Sequence, residues 1–303
     1  MVIVILFVLG LCLGSFVNAF VWRFHAQAEL RGMQAARKLK PTQAKAEIDA
    51  LSIAKGRSMC VHCKHELAPK DLIPVISYLS LGGKCRYCRK PIQDTPLAEL
   101  ITPLLFIVSY LFWPLKAPSG FTGAGLVVFC FWLVFLVGFV MLALYDLRWY
   151  ELPHKIVLPL IALALVQTVL IAMVFSTHQG GGLRYALHAG IGGLIGGGIF
   201  YLLYAISPKE TLEDGYKMSK WIGGGDITLG FLLGLLVGGP GNALLLIFVA
   251  SLIGTFVALP LLATGRAQRT SHLPFGPFLL VAAVVVMLVG ARIIDWYTSH
   301  FIV

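Results

Sequence analysis

Apolar residues run along this chain in long blocks, and the polar residues collect in the gaps between them. Eight blocks stand out, roughly 2–22, 98–114, 122–145, 154–175, 184–206, 224–238, 242–263 and 277–296. A helix needs ~20 apolar residues to cross a ~30 Å hydrocarbon core. The pattern therefore predicts an all-α polytopic membrane protein with about eight transmembrane helices, two of them short. The first block starts at Met1 without a basic leader region or a small-residue cleavage site. It reads as a retained helix and not as a removed signal peptide.

Composition agrees with the pattern. Over 303 residues the chain is 58% hydrophobic and 13% charged, and its mean hydropathy is +0.85. No soluble domain of this size hides so much apolar sequence. The formal charge of +10 would suit nucleic acid, but its placement argues otherwise. With the N-terminus outside, the 23–97 loop and the turns near 146–153, 207–222 and 264–276 face inward, and they carry 14, 1, 3 and 2 Lys and Arg. Lys155 adds one more, which leaves Lys116, Arg184 and Arg292 outside. That is the positive-inside bias. No aromatic stacking pattern accompanies the charge, so a nucleic-acid partner is not expected.

The chain divides into a first transmembrane helix (1–22), a cytoplasmic loop (23–97) and a transmembrane bundle (98–303). His25 to Arg57 is rich in Ala, Gln, Lys and Arg and predicts two short helices broken at Pro41, a solvated hairpin near anionic headgroups. Gly190, Gly193 and Gly197, and Gly230, Gly234 and Gly238, put small residues on single helix faces and predict close helix packing. No internal repeat is evident.

Within the loop, Cys60-Val-His-Cys63 and Cys85-Arg-Tyr-Cys88 form two Cys-x-x-Cys pairs with 21 residues between them. This spacing suits a structural zinc site held by Cys60, Cys63, Cys85 and Cys88. A disulfide is not expected on a reducing cytoplasmic side, and four thiolates leave no open position for catalytic water. Cys12 and Cys130 fall in apolar blocks and read as ordinary buried residues.

Two carboxylates stand at the ends of apolar blocks. Asp146 closes the third, and Asp226 opens the sixth behind Gly223-Gly-Gly225. Acids at membrane depth are costly and usually functional. The topology puts both at the same depth, on the cytoplasmic side, where they could form an acid/base pair. Gly223 and Gly225 are candidate substrate-binding positions. Glycines there permit backbone angles closed to other residues and leave room for an extended strand beside the chain. A polar packing group or helix cap is the plainer role for Asp226, and an interfacial acid that for Asp146.

The ordered set of motifs resembles the bacterial type IV prepilin peptidases, the Gly-x-Gly-Asp class of membrane aspartic proteases. It comprises Gly14-Ser-Phe-Val-Asn18 with Arg23, Asp71-Leu-Ile-Pro-Val-Ile-Ser77, Gly83-Lys-Cys-Arg-Tyr-Cys88 and Pro96-Leu-Ala-Glu99. Asp146-Leu-Arg-Trp-Tyr-Glu-Leu-Pro153, Gly223-Gly-Gly-Asp226 and Pro274-Phe-Gly-Pro277 complete it. The resemblance implies Asp146 and Asp226 as the catalytic pair in a bacterial inner-membrane enzyme. Such an enzyme cuts the basic leader from type IV prepilins or pseudopilins after a glycine at the cytoplasmic face, serving pili or type II secretion. It also implies methylation of the new N-terminus with S-adenosylmethionine as donor, for which Glu99 could hold the new α-amino group. Two positions depart from the family's pattern: His154 stands where an acid is common and Thr228 where a lysine is common. His188 and His272 read as packing or loop residues. Competing readings are a peptidase without methyltransferase activity, a transporter or channel using the two aspartates as an ion relay, and a non-catalytic assembly factor.

Overall fold

The computed structural model describes residues 1–36, 40–53, 56–92, 95–114, 121, 123–175, 181–211, 217–219, 222–265 and 273–301. The chain folds into two units, Met1–Leu111 and Phe112–Val303.

In the first unit, α1 (Val2–Ala35) does not stop where the apolar block ends. The expected first half of the polar hairpin is instead a continuation of this helix, because Ala, Gln, Glu and Arg are strong helix formers and no proline intervenes. The other half is found as expected, as α2 (Pro41–Ala50) with Pro41 in its first turn, where a missing N–H costs nothing. Arg23 Nη1 and Gln27 Nε2 of α1 donate to the carbonyls of Ser52 and Leu51 at 3.0 and 2.8 Å, satisfying backbone acceptors just past the end of α2. A 3-10 turn (Pro69–Leu72), α3 (Ile76–Ser80) and α4 (Leu97–Phe112) complete the unit. Gly10 and Gly14 let α1 meet α4 backbone to backbone. A Cβ at Gly10 would fall on Pro103, and one at Gly14 would stand 2.5 Å from the Ala98 carbonyl oxygen.

The second unit contains α5 (Gly123–Trp149), α6 (His154–Phe175), α7 (Gly181–Ile206), α8 (Gly224–Leu236), α9 (Pro240–Ala263) and α10 (Gly276–Phe301). A short antiparallel pair not expected from the sequence, β1 (Lys209–Thr211) with β2 (Lys217–Ser219), lies between α7 and α8. The core is made by Trp132, Phe135, Leu136 and Leu142 of α5, Leu229, Leu232 and Leu233 of α8, Leu246 of α9 and Leu279 of α10. The closest backbone approach is between α7 and α8. A Cβ at Gly192 would lie 2.5 Å from the Gly234 carbonyl oxygen, and one at Gly196 would fall on that of Gly230. The expected register is thus partly corrected. Gly193, Gly197, Gly230 and Gly234 do pack, but Gly190 faces open space, and Gly238 serves a turn at φ +77°.

All eight apolar blocks are helical. Six of the described helices are long and apolar enough to cross a membrane, while Leu97–Phe112 and Gly224–Leu236 are shorter. At ~1.5 Å per residue the 13 residues of α8 rise only about 20 Å, short of a full crossing.

Candidate functional site

Asp146 lies in the last turn of α5 and is 5% exposed. The helix ends just after it: Tyr150 takes φ +56°, and its N–H donates to the Asp146 carbonyl at 2.8 Å. The chain then turns through Leu152 and Pro153 into α6. The carboxylate itself accepts the backbone N–H of Gly276, the first residue of α10. A Cβ on Gly276 would fall against Asp146 Oδ2.

Asp226 sits in the first turn of α8, half-buried, and its Oδ2 accepts the N–H of Gly223 at 3.2 Å. It therefore caps its own helix, the plain role weighed for it above. The next turn is braced by Thr228, whose hydroxyl donates to the Gly225 carbonyl at 2.9 Å. Leu152 joins the two aspartates' surroundings. Its Cβ lies 2.7 Å from where a Cβ of Gly225 would stand, and its Cδ2 3.5 Å from where one of Gly276 would. The Asp146 carboxylate is near enough to act on Asp226 by its charge. One site is thus assembled from the end of α5, the starts of α8 and α10, and the Leu152 turn. Each carboxylate thus takes one backbone N–H at a helix start, Asp146 that of Gly276 and Asp226 that of Gly223, where the positive end of the helix dipole favours an anion.

The conformational reason given for the glycines is corrected. Gly223 has φ −72° and ψ 146°, and the glycines with positive φ among the described residues are Gly82, Gly83, Gly238 and Gly265. Gly225 is small because Leu152 packs on it, while the space beside Gly224 is open. Leu152 and Gly276 lie in quoted motifs but were given no role at the site from the sequence. The signal for Gly276 was its place between Phe275 and Pro277 at the head of an apolar block.

In the first unit the two Cys-x-x-Cys segments fold as matching knuckles. The N–H of Cys60 donates to the His65 carbonyl at 3.0 Å and that of Lys64 to Cys60 at 2.9 Å; Cys85, Lys90 and Arg89 repeat this at 2.9 and 3.0 Å. Lys64 and Arg89, each just after the second cysteine of its pair, both have positive φ, near 57° and 60°. The four sulfurs lie within 4.8 Å of one another and could hold a metal ion. Cys60 Sγ and Cys88 Sγ are 3.8 Å apart, the edge of a tetrahedron with bonds of ~2.3 Å. Burial opposes ionisation of Cys60, but the backbone N–H groups of Cys63 and His62 and the thiols of Cys85 and Cys63 bring it down to about 7. Cys88 is pulled down by the backbone at Lys90, yet burial and the Cys85, Cys63 and Cys60 thiols push it up to about 11.

Asp71 clamps the second knuckle to the 3-10 turn that follows the first. Its carboxylate accepts Arg86 Nε at 2.7 Å, Tyr87 Oη at 3.2 Å and the Ala68 N–H at 3.3 Å. Burial raises its affinity for a proton, but the Arg86 hydrogen bond and charge outweigh this and hold the carboxyl below its ordinary value. Glu99, in the first turn of α4, accepts the N–H of Val75 at 2.6 Å. Val75 has φ +60° and is spanned by a bond from the Ile76 N–H to the Pro74 carbonyl at 2.5 Å, a rare and strained γ-turn for a β-branched residue.

Of the histidines considered, His154, a departure from the family's pattern, is exposed at the start of α6, and His188 is half-buried in α7. His272 lies outside the described residues. Cys12 and Cys130 are exposed free thiols and not the buried residues expected, since apolar faces here are turned outward as well as inward.

Two family models match the chain: the bacterial peptidase A24 N-terminal domain over residues 8–113 and the type IV leader peptidase family over residues 133–259. A prepilin leader peptidase/N-methyltransferase of Pseudomonas aeruginosa is 31% identical over 95% of this chain and 91% of its own length. Proteins of the same name from Neisseria gonorrhoeae and Aeromonas hydrophila are 30% and 28% identical, over 97% and 98% of this chain and 93% and 94% of their own. No solved structure matches the chain.

Proposed function

The chain belongs to the type IV leader peptidase family, and we propose that Asp146 and Asp226 are the catalytic pair with which it removes the leader of type IV prepilins. The observation that carries this reading is the shared site, where Gly276 and Leu152 bring the carboxylate ending α5 to the one opening α8. Two carboxylates sharing one proton supply both functions that amide hydrolysis needs. The ionised member takes a proton from an attacking water, and the protonated member donates a hydrogen bond to the scissile carbonyl. The pair titrates as a unit, so neither residue alone is the base. The open space beside Gly224 suits an extended peptide segment. Cleavage follows a glycine, with the basic leader on the cytoplasmic side and the substrate's apolar helix in the bilayer.

The enzyme is also an N-methyltransferase, as its relatives are named. We assign this activity to the region 23–97 together with Glu99, and the peptidase to 98–303. Cys60, Cys63, Cys85 and Cys88 hold a structural zinc ion. The donor set of four soft thiolates at tetrahedral spacing fits it, and all four positions are closed to water. The protein sits in the inner membrane with its N-terminus outside.

The test uses the purified full chain in liposomes with a prepilin bearing its leader, followed by mass spectrometry. Loss of the leader mass, and gain of one methyl group only when S-adenosylmethionine is present, is the expected result. An intact precursor with several different prepilins would overturn it.

A further inference from the structure

The first unit holds a half-open cavity of about 580 Å³ between α1, the knuckles and the start of α4, within the ~300–1,000 Å³ of small-molecule sites. Its polar lining includes three groups with unused capacity. Asn18 is 8% exposed and its Oδ1 has no partner among the described residues, although its Nδ2 donates to the Thr95 carbonyl at 3.4 Å. Arg23 is also 8% exposed, with one hydrogen bond, to Ser52, and no ion pair among the described residues. Glu99 spends one carboxylate oxygen on Val75 and faces the cavity with a second acceptor. A buried guanidinium without an anion and a buried carbonyl without a donor are costly, and both are relieved by a ligand carrying a carboxylate beside an ammonium.

The order of these groups along α1 is informative. Glu99 packs at Gly14, Asn18 lies one turn further, about 6 Å on, and Arg23 about 7.5 Å beyond that. Phe16, Phe20, Trp22 and Tyr78 also line the cavity, giving faces on which a purine stacks and a cation rests.

We propose that this cavity is the methyl-donor site. Arg23 takes the amino-acid carboxylate of S-adenosylmethionine, Asn18 Oδ1 accepts from its ammonium, and the aromatic wall takes its adenine, leaving the methyl group toward Glu99. This deepens the methyl-transfer reading above and rests on it. At Glu99 the substrate's N-terminal ammonium gives up a proton, and the freed lone pair forms the new N–C bond. The S–CH₃ bond breaks with its electron pair passing to sulfur, which leaves a neutral thioether, and the product leaves as a secondary ammonium.

The test is ultraviolet photolabelling of the purified full chain with methyl-tritiated S-adenosylmethionine, with the labelled peptide mapped. Equilibrium binding of S-adenosylhomocysteine to the wild type, Arg23→Gln and Ala19→Trp accompanies it, the last placing a large ring on the cavity wall. Label within residues 12–99 and a tenfold or greater loss of affinity in both variants is expected. Label mapped beyond residue 112, or full affinity in Ala19→Trp, overturns the proposal while leaving methyl transfer intact. A wild type that binds no donor and never methylates its product removes both. The map is read on the wild type, so it decides even if a variant fails to fold.

Discussion

The N–H of Gly276 donates to the Asp146 carboxylate, and a Cβ on Gly276 would collide with the same carboxylate at Oδ2. Position 276 therefore admits no side chain while it holds Asp146 in place. Gly276→Ala should displace the carboxylate and lower kcat for leader cleavage by about 10- to 100-fold, since small misplacements of a catalytic group cost that much. Binding of the prepilin should change far less. Steady-state kinetics with a purified prepilin checks it, and wild-type kcat in a folded Gly276→Ala protein would remove Gly276 from the account.

The zinc site proposed for the knuckles predicts that they depend on a shared ion. Cys60→Ser or Cys85→Ser should lower the metal content of the purified protein from one zinc per chain toward none. Prolonged chelation of the wild type should do the same and lower its thermal midpoint. Binding energy at such sites is folding energy, so the loss should appear in stability and in methylation. Zinc content by atomic emission beside a melting curve reads both.

Asp71 gives the module an acid sensitivity of defined sign. Its carboxyl titrates below the ordinary value because of Arg86. Its stabilisation is therefore complete above ~4, where it would ionise in the unfolded chain, and fades as pH falls through the lower folded value. Asp71→Asn should cost about 1–2 kcal/mol near neutrality, and the gap from wild type should close in acid. Thermal unfolding of both proteins across pH measures it, and a gap that widens in acid would contradict the clamp.

Much of this could be read in advance, for identifiable reasons. Asp146 and Asp226 stood out because a carboxylate in an apolar block has few innocent explanations, and the cysteines because their spacing fixes where sulfurs point. The register of α7 against α8 was harder. When lipid and protein interior are equally apolar, no polar face marks Gly192 and Gly196 as the packed side in place of Gly190. The length of α1 was missed because the chain leaves the apolar block without leaving the helix, and Arg23 and Gln27 find carbonyls just past the end of α2 to hold it there. The strained turn at Val75, the packing of Leu152 on Gly225 and the cavity beside Asn18 are products of tertiary contact and left no local signature.

Glu99 and Val75 form one such contact, and the methyl-transfer role proposed for Glu99 predicts that changes there separate the two activities. Val75→Gly should relieve the positive φ, stabilising the turn by about 1 kcal/mol. Glu99→Gln should leave leader cleavage within about twofold of wild type and reduce N-methylation at least 100-fold, the scale of a lost acid/base group. Mass spectrometry of the product distinguishes cleaved from cleaved and methylated. Full methylation by Glu99→Gln would assign the amine to another residue.

The central claim is that Asp146 and Asp226 act as one unit. Asn at position 226 keeps an oxygen for the Gly223 N–H, so Asp226→Asn preserves the helix cap and removes only the carboxylate chemistry. The decisive measurement is the rate of leader cleavage by Asp146→Asn, Asp226→Asn and the double variant. Each single variant should lose at least 10³-fold, and the double variant little more, because residues acting together are not additive. Substantial cleavage by either folded single variant, or losses that multiply in the double, would contradict the two-carboxylate mechanism.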